Sequence, residues 1–132
     1  VYKRQPTIYW FQQLLPYAGE KKVFHCPSRR DHAWNREGVS CGLNYDRFIS
    51  EPYNNKNYQR VSKVPPMTLF LADALEGAPY SCYVSKNGYY SAGAHHFGGC
   101  NCLFCGGHVE WREVELLDYG TWWGYVPKDV EW

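Results

Sequence analysis

Between Thr7 and Leu15 the apolar residues Ile8, Phe11 and Leu15 recur at helical spacing, with Trp10 and Leu14 beside them, and Pro16 closes the pattern. That spacing predicts a short amphipathic helix. Lys22 to His25 reads as a brief extended segment entering Cys26-Pro27-Ser28, where the proline biases Cys26 away from helix. Residues 29 to 66 are polar, rich in tyrosine and broken by Gly38, Gly42, Pro52 and Pro65-Pro66. They predict mostly loop with one or two short strands, and Asn54-Asn55-Lys56-Asn57 predicts a turn or exposed tip. Met67 to Ala72 carries the continuous run Leu69-Phe70-Leu71, the signature of a strand buried on both faces. Tyr80 to Ser85 predicts another strand, Lys86-Asn87-Gly88 a turn and Tyr89-Tyr90 the return. Beyond Arg112, the stretch Leu116 to Trp132 shows no period and is expected to wrap the sheet as coil.

The segment from His95 to Trp111 concentrates the chemistry of the chain. Gly106-Gly107 suits the two positive-φ positions of a type I′ hairpin turn. With that turn, Cys105 faces His108, Phe104 faces Val109, Leu103 faces Glu110 and Cys102 faces Trp111. Cys102, Phe104, Val109 and Trp111 then share one apolar face, while Leu103, Cys105, His108 and Glu110 lie on the other. The competing reading makes Cys102-Leu103-Phe104-Cys105-Gly106 a zinc knuckle, its remaining ligands drawn from His95, His96, His108, Cys26 or Cys41. A single Cys-x-x-Cys with scattered partners is a weak metal signal, so the hairpin is favoured and no metal or other cofactor is expected.

The chain has 132 residues, enough for one domain over 1–132 with a real core. A formal charge of +1 leaves no electrostatic footprint for nucleic acid. Six cysteines in so short a chain favour an extracytoplasmic compartment and disulfides. Cys26 and Cys41 close a loop of ordinary length in a coil-rich region and are the expected pair, with Cys82 on a strand near the Cys100 to Cys105 cluster. No apolar run reaches the length of a membrane span, and the start at Val1 rather than Met suggests that an export or anchoring segment has been removed.

His96 and His108 flank the hairpin and, with Asp73, form a candidate metal or acid-base cluster. Hydrogen-bonded structural histidines are the favoured alternative, with His96 holding the Gly98-Gly99 turn. Asp73 has no carboxylate or nucleophile partner in sequence and is expected to cap the loop after its strand. No serine lies in a nucleophile elbow, so an enzyme is not expected. Tyr119, Trp122, Trp123, Tyr125 and Trp132 could stack on a glycan, but covering one face of the sheet is the favoured role. Together these elements predict an α+β fold, a short N-terminal helix packed on a small antiparallel β-sheet with long loops.

Several segments share one order with a known family. They are Trp10 with Leu15-Pro16-Tyr17, Phe24-His25-Cys26-Pro27-Ser28, Gly42-Leu43-Asn44-Tyr45, Leu69-Phe70-Leu71-Ala72-Asp73, and His96-Phe97-Gly98-Gly99-Cys100-Asn101 running on through Gly106-Gly107-His108-Val109. In that order they resemble the globular part of type II secretion pseudopilin-like proteins, the prepilin-type group named for a His-(nine residues)-Asp-Gly motif. Gly106 stands where the family has Asp, which keeps a hairpin turn but removes a carboxylate. Cys41 replaces an aromatic residue, and Cys102 and Cys105 replace small or branched apolar ones. The resemblance implies a pilin-like domain that is not an enzyme, with other pilin-like or secretion subunits as partners. It also implies a periplasmic or cell-surface location, with contact to the inner membrane only through an apolar N-terminal helix absent from this chain. A carbohydrate-binding module with an aromatic face is the alternative, and a zinc-stabilised interaction domain a third.

Overall fold

A computed structural model describes residues 9–29, 39–48, 60–75, 82–86, 90, 92–116 and 125–132. Among them the chain forms helix α1 (Trp10–Ala18), strand β1 (Cys41–Asn44), the one-turn helix α2 (Tyr45–Phe48), and strands β2 (Leu69–Asp73), β3 (Tyr83–Val84), β4 (Gly99–Phe104), β5 (Val109–Leu116) and β6 (Tyr125–Pro127). The strands make one sheet in the order β3-β1-β2-β4-β5-β6. Every neighbouring pair is antiparallel except β1 with β3. The fold is therefore mixed α+β, as the periodicity predicts. No helix among the described residues is long and apolar enough to cross a membrane.

Helix α1 runs past Pro16 instead of stopping before it, and ends where the Gly19 N–H reaches Leu15 O at 3.0 Å. Proline is tolerated because it sits on the exposed side of the last turn, where water can serve the carbonyl that lost its partner. The helix packs through Phe11, which joins Val39 and Cys82 in a small core flanked by Trp10, Phe24 and Tyr83. The Trp10 indole N–H donates to Cys82 O at 2.7 Å. Cys82 thus lies under the helix and not beside the Cys100 to Cys105 segment. The predicted extended segment at Lys22 to His25 is instead a 3-10 turn over Lys21–Phe24.

The main core gathers Leu69, Ala72, Ala74, Val84, Ala92, Cys100, Cys102, Phe104 and Val114. Strand β2 is central, between β1 and β4, but the run predicted to be buried on both faces is only partly covered, with Leu69 and Ala72 buried and Phe70 and Leu71 half-buried. Two elements depart from the sequence expectation. Helix α2 follows β1 directly, and β6 pairs with β5 in a stretch that predicts coil, while Leu69 N–H donates to Glu131 O at 2.7 Å. Of the predicted Tyr80 to Ser85 strand, Tyr83–Val84 is formed among the described residues, and Tyr80 and Ser81 lie outside them. The turns predicted at 54–57 and 86–88 fall wholly or partly outside the described residues.

The β4-β5 hairpin is present, but its register is one residue from the predicted one. Leu103 pairs with Val109, Cys102 with Glu110 and Asn101 with Trp111. The loop is Cys105-Gly106-Gly107, closed by Phe104 N–H to His108 O at 3.0 Å, and only Gly107 takes a positive φ. This is the three-residue loop with a left-handed last position, not a two-residue type I′ turn. Its cause lies beside it. Cys105 N–H donates to Thr68 O and Gly106 N–H to Pro66 O, so both amides are held by the neighbouring segment. Val109 and Trp111 consequently leave the face of Cys102 and Phe104 and are 63% and 48% exposed. A type I′ turn does exist, one strand earlier. Phe97 and Gly98 have φ of 56° and 80°, and His96 and Gly99 exchange N–H···O bonds of 3.1 Å.

Candidate functional site

Three segments far apart in sequence meet at the end of β2. The first is the turn Cys26-Pro27-Ser28-Arg29, closed by Arg29 N–H to Cys26 O at 3.1 Å. It is tied to the entry of β1 because Cys26 N–H donates to Ser40 Oγ and Ser40 N–H donates to Phe24 O at 2.8 Å. The second is Asp73, the last residue of β2. The third is His95-His96, entering the Phe97-Gly98 turn. The His96 backbone is pinned there by the Trp111 indole, which donates to its carbonyl at 2.8 Å.

The side chains converge. Cys26 Sγ lies 3.4 Å from His96 Nε2, and Asp73 Oδ2 lies 3.3 Å from the same nitrogen. Asp73 Oδ2 also accepts from Asn101 N–H at 2.8 Å and from Asn101 Nδ2 at 3.1 Å, which fixes the carboxylate against β4. The His95 ring sits beside that of His96, centroids 4.8 Å apart. Its place depends on Gly93, where a Cβ would come within 2.4 Å of the ring. One donor atom from each of Cys26, Asp73, His95 and His96 falls within 4.8 Å of the others. The cluster borders an open cleft of about 330 Å³ also lined by Phe24, Ser40, Cys41 and Asn101.

No family model, curated protein or solved structure matches the chain.

The geometry bears on which chemistry the cluster can perform. A Cys-His-Asp hydrolase holds its nucleophile on one imidazole nitrogen and its orienting carboxylate on the other. Here thiol and carboxylate address the same nitrogen, so His96 is not placed to relay a proton between them. The arrangement is instead that of donors surrounding one point.

Sequence reasoning singles out His96 and Asp73, and the structure brings them together. His108 is elsewhere, at the loop end of the β4-β5 hairpin, stacked on Phe104 with centroids 4.8 Å apart and 3.4 Å from Glu110. Gly98 and Gly99 build the turn beside His96, whereas Gly106 and Gly107 belong to the distant hairpin loop. Cys102 is buried in the core, where its sulfur lies against that of Cys100, and Cys105 is partly exposed in the hairpin loop, so the two do not form a knuckle. In the sequence His95 stands out as a loose partner of that knuckle, and Cys26 as another and as half of the expected disulfide, but no spacing marks either as a neighbour of Asp73. Tyr119, Trp122 and Trp123 lie outside the described residues, and Tyr125 begins β6.

All six thiols are unbridged. Cys26 turns to His96, and the Cys41 thiol donates to Phe24 O at 3.7 Å, so the expected Cys26–Cys41 bond is not formed. Burial pushes the Cys41 thiol from its ordinary 9.0 up to about 12, and the Asp73 carboxylate pushes it the same way. The folded chain thus holds this proton more tightly than the unfolded chain. Its contribution to stability is whole below pH 9 and drains as pH rises toward 12. Each tenfold difference in proton affinity is worth about 1.36 kcal/mol, so the loss reaches a few kcal/mol. Urea titrations at pH 8 and pH 11 should show a steeper alkaline loss in the native protein than in Cys41→Ala. Equal losses would contradict this assignment.

Proposed function

We propose that this domain is a pilin-like subunit of a type II secretion or type IV pilus-like envelope assembly, not an enzyme, acting through contacts with other pilin-like subunits. One observation carries the reading. The segments that resemble the prepilin-type family are dispersed from Trp10 to Trp111, yet Cys26 of Phe24-His25-Cys26-Pro27-Ser28, Asp73 of Leu69-Phe70-Leu71-Ala72-Asp73, and His96 and Asn101 of His96-Phe97-Gly98-Gly99-Cys100-Asn101 assemble into one contact network. Residues that share such a network depend on one another for placement, which gives a physical reason for the segments to occur as a set. The helix packed on a largely antiparallel sheet is the architecture this reading requires.

The test uses the full-length gene product, co-expressed with a prepilin peptidase. Leader cleavage and cross-linked ladders of subunits are the expected result. On this reading, His108→Ala acts through stability or assembly and not through any turnover. An uncleaved, monomeric product would overturn the proposal. So would saturable binding on a glycan array that is abolished by Trp122→Ala or Trp123→Ala in a folded protein, since that is the behaviour of a carbohydrate-binding module.

A further inference from the structure

The geometry points to a structural zinc site formed by Cys26, Asp73, His95 and His96, a tetrahedral centre of one sulfur, one oxygen and two nitrogens. This inference is independent of whether the domain assembles into filaments.

The distances fit the ion. With zinc bonds of about 2.3 Å to sulfur and about 2.0 to 2.1 Å to nitrogen and oxygen, a tetrahedron has edges of about 3.6 Å for S···N and about 3.3 Å for N···O. The corresponding separations are 3.4 Å from Cys26 Sγ to His96 Nε2 and 3.3 Å from His96 Nε2 to Asp73 Oδ2. His95 supplies the fourth donor, and all four donor atoms lie within 4.8 Å of one another, so a small movement of its ring completes the shell.

The donor set selects the metal class. Calcium and magnesium take six or more oxygen ligands, and this site offers a single carboxylate. A thiolate with imidazoles suits a borderline-soft divalent ion in tetrahedral coordination. Four protein donors also leave no position for a reacting water, which marks a structural rather than a catalytic centre.

The supporting shell is in place. Asn101 fixes the Asp73 carboxylate through two hydrogen bonds, Ser40 holds the Cys26 backbone, and Trp111 holds the His96 backbone. Gly93 leaves the space that the His95 ring occupies. Metal ligands are ordinarily oriented by hydrogen-bonded neighbours of this kind. The ion would tie together the Cys-Pro turn, the end of β2 and the turn that starts β4. Those pieces meet at this end beside an open cleft.

The experiment uses the protein purified under reducing conditions, stripped with chelator and reloaded with zinc or cobalt(II). One zinc per chain is expected to survive dialysis. The cobalt form should show intense tetrahedral d–d bands and a near-ultraviolet thiolate-to-metal charge-transfer band. Cys26→Ser should abolish the charge-transfer band, His95→Gln should weaken zinc binding by at least about 100-fold, and Asn101→Ala, acting through Asp73, by about 10-fold or more. Cys41→Ser and Cys105→Ser should leave the spectrum intact. Near-ultraviolet circular dichroism identifies any variant that fails to fold. In the native protein alone, zinc should protect Cys26 from alkylation as mapped by mass spectrometry. A cobalt spectrum without a thiolate band, a band that survives Cys26→Ser, or Cys26 alkylated equally with and without zinc would each overturn the assignment.

Discussion

Gly99→Ala is expected to destabilise the domain by about 3 kcal/mol, the upper range for forcing extra volume into a packed site. A Cβ at this position would lie 2.3 Å from Trp111 Cε2 and 2.5 Å from Arg112 O. The first obstacle is a side chain, but it is anchored by its bond to His96 O. The second is backbone, set by the pairing of Gly99 with Glu113 at the start of the β4-β5 ladder. Neither yields without disturbing the turn that carries His96. Gly98→Ala provides the contrast, because a Cβ there meets nothing within 4 Å and only the φ of 80° is unfavourable. That change should cost about 1 to 2 kcal/mol, the ordinary penalty of a left-handed L residue. Adding Trp111→Ala to Gly99→Ala should recover only part of the loss, since the Arg112 carbonyl remains. Urea denaturation of the variants checks the order. Equal destabilisation by Gly98→Ala and Gly99→Ala would contradict it.

What the sequence reveals and what it conceals follow from the range of the forces involved. The Leu69-Phe70-Leu71 run identifies a strand because a short continuous apolar run needs no knowledge of the partners, although Phe70 and Leu71 are only half-buried. The alternation of Cys102 and Phe104 against Leu103 gives the correct faces of β4, with Cys102 and Phe104 buried and Leu103 half-buried. Register is a different matter. Gly106-Gly107 permits a two-residue turn, and what selects the three-residue loop is the pair of carbonyls at Pro66 and Thr68, which are distant in sequence. Strand β6 is invisible in the sequence because its three residues pair only with the far end of β5. Pro16 ends the predicted helix too early because propensity says nothing about which side of the last turn faces water.

The candidate site divides along the same line. His96 and Asp73 are legible as chemistry, each on or beside an element whose type the periodicity discloses. Cys26 and His95 are not, because their proximity depends on how the Cys-Pro turn docks on β1 through Ser40 and on the direction taken by the turn at Phe97. Phe97 holds a left-handed backbone at φ 56° with its ring fully exposed, an arrangement that no residue-type rule anticipates.

Asn44→Asp is expected to cost about 3 to 5 kcal/mol near neutral pH, the range for leaving a buried charge without a partner. Asn44 is fully buried at the junction of β1 and α2. Its Nδ2 donates to Leu69 O at 2.9 Å, extending the link to β2 past the last backbone pair at Leu43 and Leu71. Its Oδ1 accepts from Arg47 N–H at 3.2 Å and so caps α2. A carboxylate preserves the cap but faces the Leu69 carbonyl with an oxygen instead of a donor. Two acceptors then confront each other where water does not reach. The fold responds by favouring the protonated acid, whose O–H can donate to Leu69 O, so the carboxyl pKa in the folded variant rises above the unfolded value of about 3.9. The variant therefore keeps most of its stability below pH 4 and loses it as pH climbs, at up to about 1.4 kcal/mol for each step of one in pH until the folded pKa is passed. Urea denaturation of native protein and variant at pH 4 and pH 7 measures this directly. A gap between them that does not widen with pH would show that the Asn44 amide is not needed as a donor at Leu69, and that the segment Gly42-Leu43-Asn44-Tyr45 owes its place in the fold to something else.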